Sequence, residues 1–297
     1  MPTLTIFTPT YNRSHTLGRT YQSLCRQTCK DFEWLVIDDG STDNTKELIN
    51  QWQAEDRIPI RYIYKENGGL YTGYNTAYRN IESELCVCID SDDYMPDNAV
   101  EIIVSKWTQY GGKEYAGLLG LDFKVDGSPI GGYFPKDMST VYYYELNAKR
   151  IRTGDSKPVL RTDLARQVAP MEGFPGEKNF NPVYMTWQVC DRLPLLVIND
   201  NLCFVDYQYQ AGGDSMSAGI WKQYVNSPRS FQKQRILELQ LHHNSPINLL
   251  RVAIHYVAES LLAKDKHWLS HSPRKWLTLS VYPLGVCLYL LTLWKAH

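Results

Sequence analysis

The chain has 297 residues, enough for one large domain or two small ones with a sizeable core. Its 31 Lys and Arg nearly balance its 32 Asp and Glu, and the formal net charge of −1 excludes a global pull toward nucleic acid. Seven cysteines without metal-finger spacing read as reduced core thiols in a reducing compartment. "MPTLTIFTPTYNRS" has no basic leader and no long apolar run, so a cytoplasmic location without export is expected.

Strand and helix patterns alternate from the start. "LTIFTPT" (4–10) is a short β-branched run, and residues 14–29 place Leu17, Tyr21 and Leu24 on one helical face. "EWLVIDD" (33–39) reads as a second strand, followed by a helix whose caps and first-turn acids lie in "STDNTKEL". "IRYIYK" (60–65), a helix over 71–82, "LCVCID" (85–90) and a helix over 97–109 continue the pattern. Strands alternating with such helices predict an α/β fold, with right-handed crossovers onto a parallel sheet. After about 115 the rhythm changes. "GLLGLDFKVDGSPIGGYF" predicts a hairpin about Asp126-Gly127, and "LLVINDNLCFVDYQY" (195–209) another extended pair. From 246 the chain reads as helical.

Polar clusters follow all four early strands: "PTYN" (9–12), "DDGS" (38–41), "ENGG" (66–69) and "DSDD" (90–93). In an open parallel sheet these ends share one edge, where such sheets bind ligands. The last cluster sets Asp90, Asp92 and Asp93 directly after an apolar run, a costly arrangement unless a cation sits there. Oxygen ligands suit Mg²⁺ or Mn²⁺, completed by substrate phosphates. No Walker loop and no dinucleotide glycine fingerprint is present to hold phosphates instead.

"TIFTPTYNRSHTLGRTYQSLCRQTCKDFEWLVIDDGSTDNT", then "ENGG", then "DSDD", resembles the family 2 glycosyltransferases over roughly residues 3–110. The resemblance implies a GT-A fold, Rossmann-like, with a mostly parallel sheet flanked by helices. It implies a glycosyltransferase using a nucleotide-sugar donor, UDP-sugar favoured. Pro9, Tyr11 and Asp39 match residues that hold the nucleobase, Asp90 the acid facing the ribose, and Asp92 the metal ligand, with Asp93 helping through water. Asn67 and Gly68 match a loop closing over the nucleotide. Asn12, Asp38, Gly69, Asn75 and Ser91 complete the implied donor set. Gly73-Tyr74-Asn75 stands where many members carry Ala-Arg-Asn, so a helix cation over the diphosphate is missing. The signature of processive synthases is absent, which points to one sugar per encounter.

Family members often place the catalytic base in a loop before a helix. "MEGFPGEKNFNPVYMTW" (171–187) fits, with Glu177 favoured and Glu172 second. Asp214, in "DYQYQAGGDSMS" (206–217), is a candidate acceptor-side residue. The expected division is a glycosyltransferase domain over 1–220, with a nucleotide half (1–110) and an acceptor half (111–220), then a helical extension over 221–297. "RKWLTLSVYPLGVCLYLLTLWKAH" (274–297) carries no charge from Trp276 to Trp294 and is bracketed by cations. That layout predicts contact with a membrane face, lying on it or dipping in, with a packed helix hairpin as the alternative. The resulting expectation is an inverting, metal-dependent transferase on the inner membrane face, acting on a glycan or lipid-linked acceptor. A nucleotide-sugar-binding domain without catalysis and a sugar-phosphate nucleotidyltransferase are the competing readings.

Overall fold

The computed structural model describes residues 1–152, 154–206 and 219–296. The first 110 residues alternate strictly: β1 (Leu4–Thr10), α1 (Ser14–Cys25), β2 (Phe32–Asp38), α2 (Thr45–Glu55), β3 (Ile60–Tyr64), α3 (Leu70–Asn80), β4 (Leu85–Cys88) and α4 (Ala99–Tyr110). β5 (Gly117–Lys124), β6 (Thr140–Val141), α5 (Tyr143–Ala148), β7 (Ser156–Arg161), α6 (Thr162–Val168), α7 (Val183–Val189) and β8 (Leu195–Val205) follow. The helices α8 (Ile220–Asn226), α9 (Pro228–Gln240), α10 (Pro246–Leu262), α11 (Trp268–His271), α12 (Lys275–Ser280) and α13 (Tyr282–Ala296) complete the chain.

Among the described residues the strands form one sheet, ordered β3-β2-β1-β4-β7-β5-β8-β6. β1 to β4 are mutually parallel, whereas β7 runs antiparallel to β4 and β5. The order reverses between β1 and β4, which opens a crevice at their carboxyl ends. Both faces are covered. On one, Tyr21 stacks on Trp52 at 4.3 Å and Trp34 lies beside them. On the other, Phe7, Leu35 and Ile37 pack with Tyr78, Phe180 and Met185. Asp43 ties the starts of α1 and α2 together: it accepts the Ser14 N–H at 3.0 Å, the Thr45 N–H at 3.1 Å and the Thr45 hydroxyl at 2.6 Å.

Two expectations for the second half need correction. The Asp126-Gly127 turn forms, but no return strand follows it; Phe123 and Pro129 make a single bridge. β5 is already hydrogen-bonded to β7 on one side and β8 on the other, leaving only its end free. Residues 195–205 are one strand, not a pair. Its "NDN" segment forms a bulge, because β5 holds it in the same direction on both sides of the irregularity.

The helical extension is anchored on the sheet domain through polar groups. Tyr144 donates to Glu238 Oε2 at 2.9 Å and accepts from Asn248 Nδ2 at 2.9 Å. α13 packs back on α10, with Gly285 seated against Val257. Among the described residues no helix is long and apolar enough to cross a membrane.

Candidate active site

The register carries the chain's polar clusters to one edge. Thr10 is level with Asp38, Asp38 with Tyr64, and Phe7 with Cys88, so all four parallel strands deliver their following loops together. Pro9 ends β1 against α3: a Cβ on Gly73 would lie 3.2 Å from the Pro9 ring, so the small residue allows close approach. Tyr11 stands at the rim, 48% exposed. Asn12 adopts a left-handed φ of 53° and turns its side chain to accept the Thr42 N–H at 2.8 Å.

Asp39 organises the 66–69 loop. Its carboxylate accepts the Gly68 N–H at 3.0 Å and the Gly69 N–H at 2.8 Å, and pairs with the Lys65 ammonium. Asn67 Nδ2 donates to the Asp39 carbonyl at 2.9 Å. Gly40 (φ 84°) and Gly69 (φ 93°) both need the left-handed region, and side chains there would crowd Asn67 and Lys178 respectively. Asp38, beside it, is a support: only 1% exposed, it accepts from the Ser41 N–H at 2.7 Å and from Tyr62 OH at 2.6 Å. Asn75 is also a clamp. It exchanges two hydrogen bonds with the Met171 backbone, at 2.9 and 2.7 Å, and so fixes the 171–178 segment beside α3.

The acid turn after β4 is differentiated. Asp90 is exposed on the cleft floor, Asp92 half-buried, and Ser91 and Asp93 buried. Arg19 of α1 holds this turn from outside. It donates to the Asp92 carbonyl at 2.5 Å and to Asp206 Oδ2 at 2.8 Å, with its guanidinium 5.0 Å from the centre of the Tyr94 ring. Beneath lies a buried polar cluster of Asp93, Asp122, Lys157 and Cys203. Lys157 Nζ is 3.5 Å from Asp122 Oδ1. Burial pushes the Asp93 carboxyl up to about 8; Lys157 opposes this, while Asp90, Asp92 and Asp122 add to it. Burial likewise raises Asp122 to about 6 against the pull of Lys157. Burial works against the Lys157 charge, but Asp122, Asp93 and Asp90 outweigh it and hold its pKa well above the ordinary lysine value.

Among the described residues no three acidic, His or Cys groups converge closely enough to enclose a metal ion. Asp90 and Asp92 still offer hard oxygen donors at an open edge. Their chemistry fits an Mg²⁺ or Mn²⁺ ion that completes its shell with phosphate oxygens and water.

The 171–187 segment lies over this edge. Lys178 Nζ donates to Asn67 Oδ1 at 2.6 Å. Glu177 turns toward α9: its carboxylate accepts the Arg229 N–H at 3.1 Å, the Ser230 N–H at 2.8 Å and the Ser230 hydroxyl at 2.7 Å. Its negative charge therefore also caps that helix. Glu172 is exposed, and its carbonyl accepts from Lys233 at 2.9 Å. Asp214 lies outside the described residues. Tyr74, standing where a helix cation was missing, packs edge-on against Phe7 at 5.0 Å.

This edge falls within a segment with known relatives. The model of "Glycosyl transferase family 2" matches residues 5–118. Residues 5–118 are therefore similar to a family 2 glycosyl transferase domain. Over 107 residues the chain is 34% identical to "Glycosyltransferase GlyA" of Streptococcus pneumoniae serotype 4 and to "Chondroitin synthase" of Pasteurella multocida. A 71-residue stretch is 45% identical to "Validoxylamine A glucosyltransferase" of Streptomyces hygroscopicus subsp. jinggangensis. These matches cover 36%, 36% and 23% of this chain, but only 15%, 11% and 16% of the relatives' own lengths. Among solved structures, S. aureus TarS 1-349 in complex with UDP superposes with a TM-score of 0.64 at 14% identity, covering 100% of this chain and 89% of that one. The mannosyltransferase PcManGT from Pyrobaculum calidifontis, in complex with GDP-Man and Mn²⁺, gives 0.55 at 16% identity, covering 100% and 88%. These likenesses show a GT-A-like fold, a single α/β sheet flanked by helices, followed by a C-terminal helical region.

Sequence reasoning missed the cations of this site. Lys65 follows β3 at the shared edge, and that position was a usable signal. Lys157 was signalled by a charge near the start of the strand "SKPVLR". Arg19 and Lys178 carried no signal, because their partners are remote in sequence.

Proposed function

We propose that the protein transfers one sugar from a nucleoside-diphosphate sugar, with UDP-sugar favoured, to a glycan or lipid-linked acceptor, with inversion at the anomeric carbon. Surface polysaccharide synthesis is the setting this reading favours. The observation that carries it is the meeting of Tyr11, Asp39 with its loop, and Asp90–Asp93 on one sheet edge, inside the segment that the family model matches. Solved neighbours named with UDP and with GDP-Man and Mn²⁺ support the donor class.

In this reading Pro9, Tyr11 and Asp39 take the nucleobase, with Asn12 at the rim. Asn67, Gly68 and Gly69 close over the nucleotide, and Asp90 and Ser91 face the ribose. Asp92 and Asp90 would hold Mn²⁺ or Mg²⁺, with Asp93 behind them. When bound, the ion supplies charge stabilisation to the departing diphosphate. Glu177 removes the acceptor proton, with Glu172 the neighbouring carboxylate, and Asp214 stands on the acceptor side. Asp38 and Asn75 serve the donor indirectly, through the loops they fix.

The tail supports a membrane-borne acceptor at the inner face of the cell membrane. Trp276 and Trp294 are 86% and 71% exposed, Leu284 and Leu290 are exposed between them, and no acid lies between Lys266 and the last residue. Apolar side chains among cations only are complementary to an anionic lipid surface.

The test is a panel of nucleotide sugars with and without Mn²⁺, reading nucleotide release and product anomer. The expected result is nucleoside-diphosphate release and an inverted product with one donor, together with Mn²⁺-dependent UDP binding that Asp92→Asn abolishes. Binding without turnover would favour the non-catalytic domain. Pyrophosphate release would favour the nucleotidyltransferase. UDP binding that ignores both Mn²⁺ and Asp92→Asn would overturn the metal assignment.

A further inference from the structure

Lys157 is an unusual residue for its place. It lies on β7, an interior strand hydrogen-bonded to β4 and β5, two positions from the fully buried Val159. An ammonium buried there is costly to desolvate, and replacing such a cation together with its partner by apolar residues is commonly neutral or stabilising. Its pairing is not that of an optimised structural salt bridge. The Asp122 oxygen nearest it is 3.5 Å away, and that oxygen has no hydrogen-bond partner among the described residues. Three carboxylates, Asp90, Asp93 and Asp122, act on this one cation. Arg152 also acts on Asp122; with Val87 opposite Val159 in the antiparallel β4–β7 pair, Lys157 lies level with Ile89, next to Asp90 at the start of the acid turn. The Cys203 thiol faces Asp93 Oδ2 at 3.8 Å and brings no positive charge.

We propose that Lys157 is a built-in counter-cation and positioning residue of the acid turn: it stabilises the crowded carboxylates before a divalent ion arrives, and its fixed charge limits how tightly that ion is held. This inference rests on the divalent-ion reading of Asp90 and Asp92. Charge supplied from below by Lys157 repels the ion, while the carboxylates attract it. Retention then depends on the diphosphate, whose oxygens complete the ion's shell, and the ion leaves when the nucleotide leaves. A purely structural lysine makes no such prediction, because removing it would loosen the turn and weaken ion binding.

The experiment titrates Mn²⁺ alone into the full chain by calorimetry and follows thermal unfolding with and without Mn²⁺. It uses wild type, Lys157→Met, Lys157→Arg and the double variant Lys157→Met/Asp122→Asn. Lys157→Met is expected to lower the unfolding midpoint without Mn²⁺ and to tighten Mn²⁺ binding by about tenfold, as expected for removing one like charge from a partly desolvated site. Mn²⁺ should therefore raise its midpoint more than that of wild type. Lys157→Arg should keep wild-type Mn²⁺ affinity. The double variant removes one charge of each sign, so it should recover stability and return Mn²⁺ affinity to near the wild-type value; it also covers the case in which Lys157→Met alone fails to fold. Weaker or unchanged Mn²⁺ binding in Lys157→Met, or tighter binding in the double variant, overturns this inference while leaving the ion site standing. No Mn²⁺ binding by any of the four, with or without UDP, overturns both.

Discussion

Glu177 faces two demands. Its carboxylate is held by three donors at the start of α9, yet its neighbour Lys178 reaches Asn67 in the nucleotide loop. The two roles separate in the variant Glu177→Gln. An amide cannot take a proton, so turnover should fall by about 10²–10⁴ with donor affinity little changed. The weakened cap should also cost about 0.5–2 kcal/mol of stability. Glu172→Gln, at an exposed side chain, should leave stability unchanged and cost a few-fold at most in turnover. Steady-state kinetics beside thermal melts read both effects. A stability loss without a turnover loss would make Glu177 a cap alone and move the base to Glu172, or to Asp191 next, although Asp191 already accepts from His242 at 2.6 Å. Asp39 shows the same coupling of chemistry and support. The resemblance implies a nucleobase-recognition role for it, but nothing in "DDGS" shows that it gathers two backbone N–H groups and Lys65. Asp39→Ala should therefore weaken donor binding and cost about 1–3 kcal/mol, since it leaves buried donors unpaired. Calorimetry with UDP and denaturant unfolding check the two.

At the scale of elements, the tail has an inward side packed on α10 and exposed apolar side chains on its outer side. α13 packs on α10 through Gly285, and a side chain added there would overlap Val257. Gly285→Val should lose about 1–3 kcal/mol by overpacking, seen as a lower unfolding midpoint. The outward side chains are independent of that packing. Replacing the exposed Trp276 and Trp294 with Ser should leave the midpoint unchanged and reduce sedimentation with anionic vesicles. Equal sedimentation of wild type and variant, or none by wild type, would confine the tail to packing. The uncharged run and the cations that bracket it were legible in "RKWLTLSVYPLGVCLYLLTLWKAH". Which residues face inward was not, because that is set by Val257 and its neighbours on α10. The second-half strands failed for a related reason. A turn signal at Asp126-Gly127 is local, but a return strand needs a free edge, and β7 and β8 had already taken both sides of β5.

For the whole molecule, two acids report on the two ends of the fold. At Asp43, burial raises the carboxyl, but hydrogen bonds from Thr45 and Ser14 outweigh it and leave it below the ordinary aspartate value. At Asp265, burial is likewise outweighed by His271, Gln232 and the His267 N–H. A lowered folded pKa means that the unfolded chain binds more protons in the window below about 4. The stability these groups contribute is full above that value and is lost as pH falls through their folded pKa values. Melts between pH 3 and 7 should show their contribution unchanged down to about pH 5 and declining below about 4. Asp265→Asn should be less stable at pH 7 and show a shallower acid decline. An identical acid slope in wild type and variant would remove Asp265 from the account.

The sequence by itself determined the parallel half, its shared ligand edge and the acids along it. Those follow from local periodicity and from residues that end strands, and the register of β1 to β4 adds no choice beyond it. Tertiary structure alone decided which groups the cations meet. Lys157 meets Asp122 across two strands, Arg19 meets Asp92 from another helix, and Lys178 meets Asn67 over a separation of 111 residues. A buried or shared charge is balanced by whatever lies nearest in space, and spacing along the chain does not encode that distance.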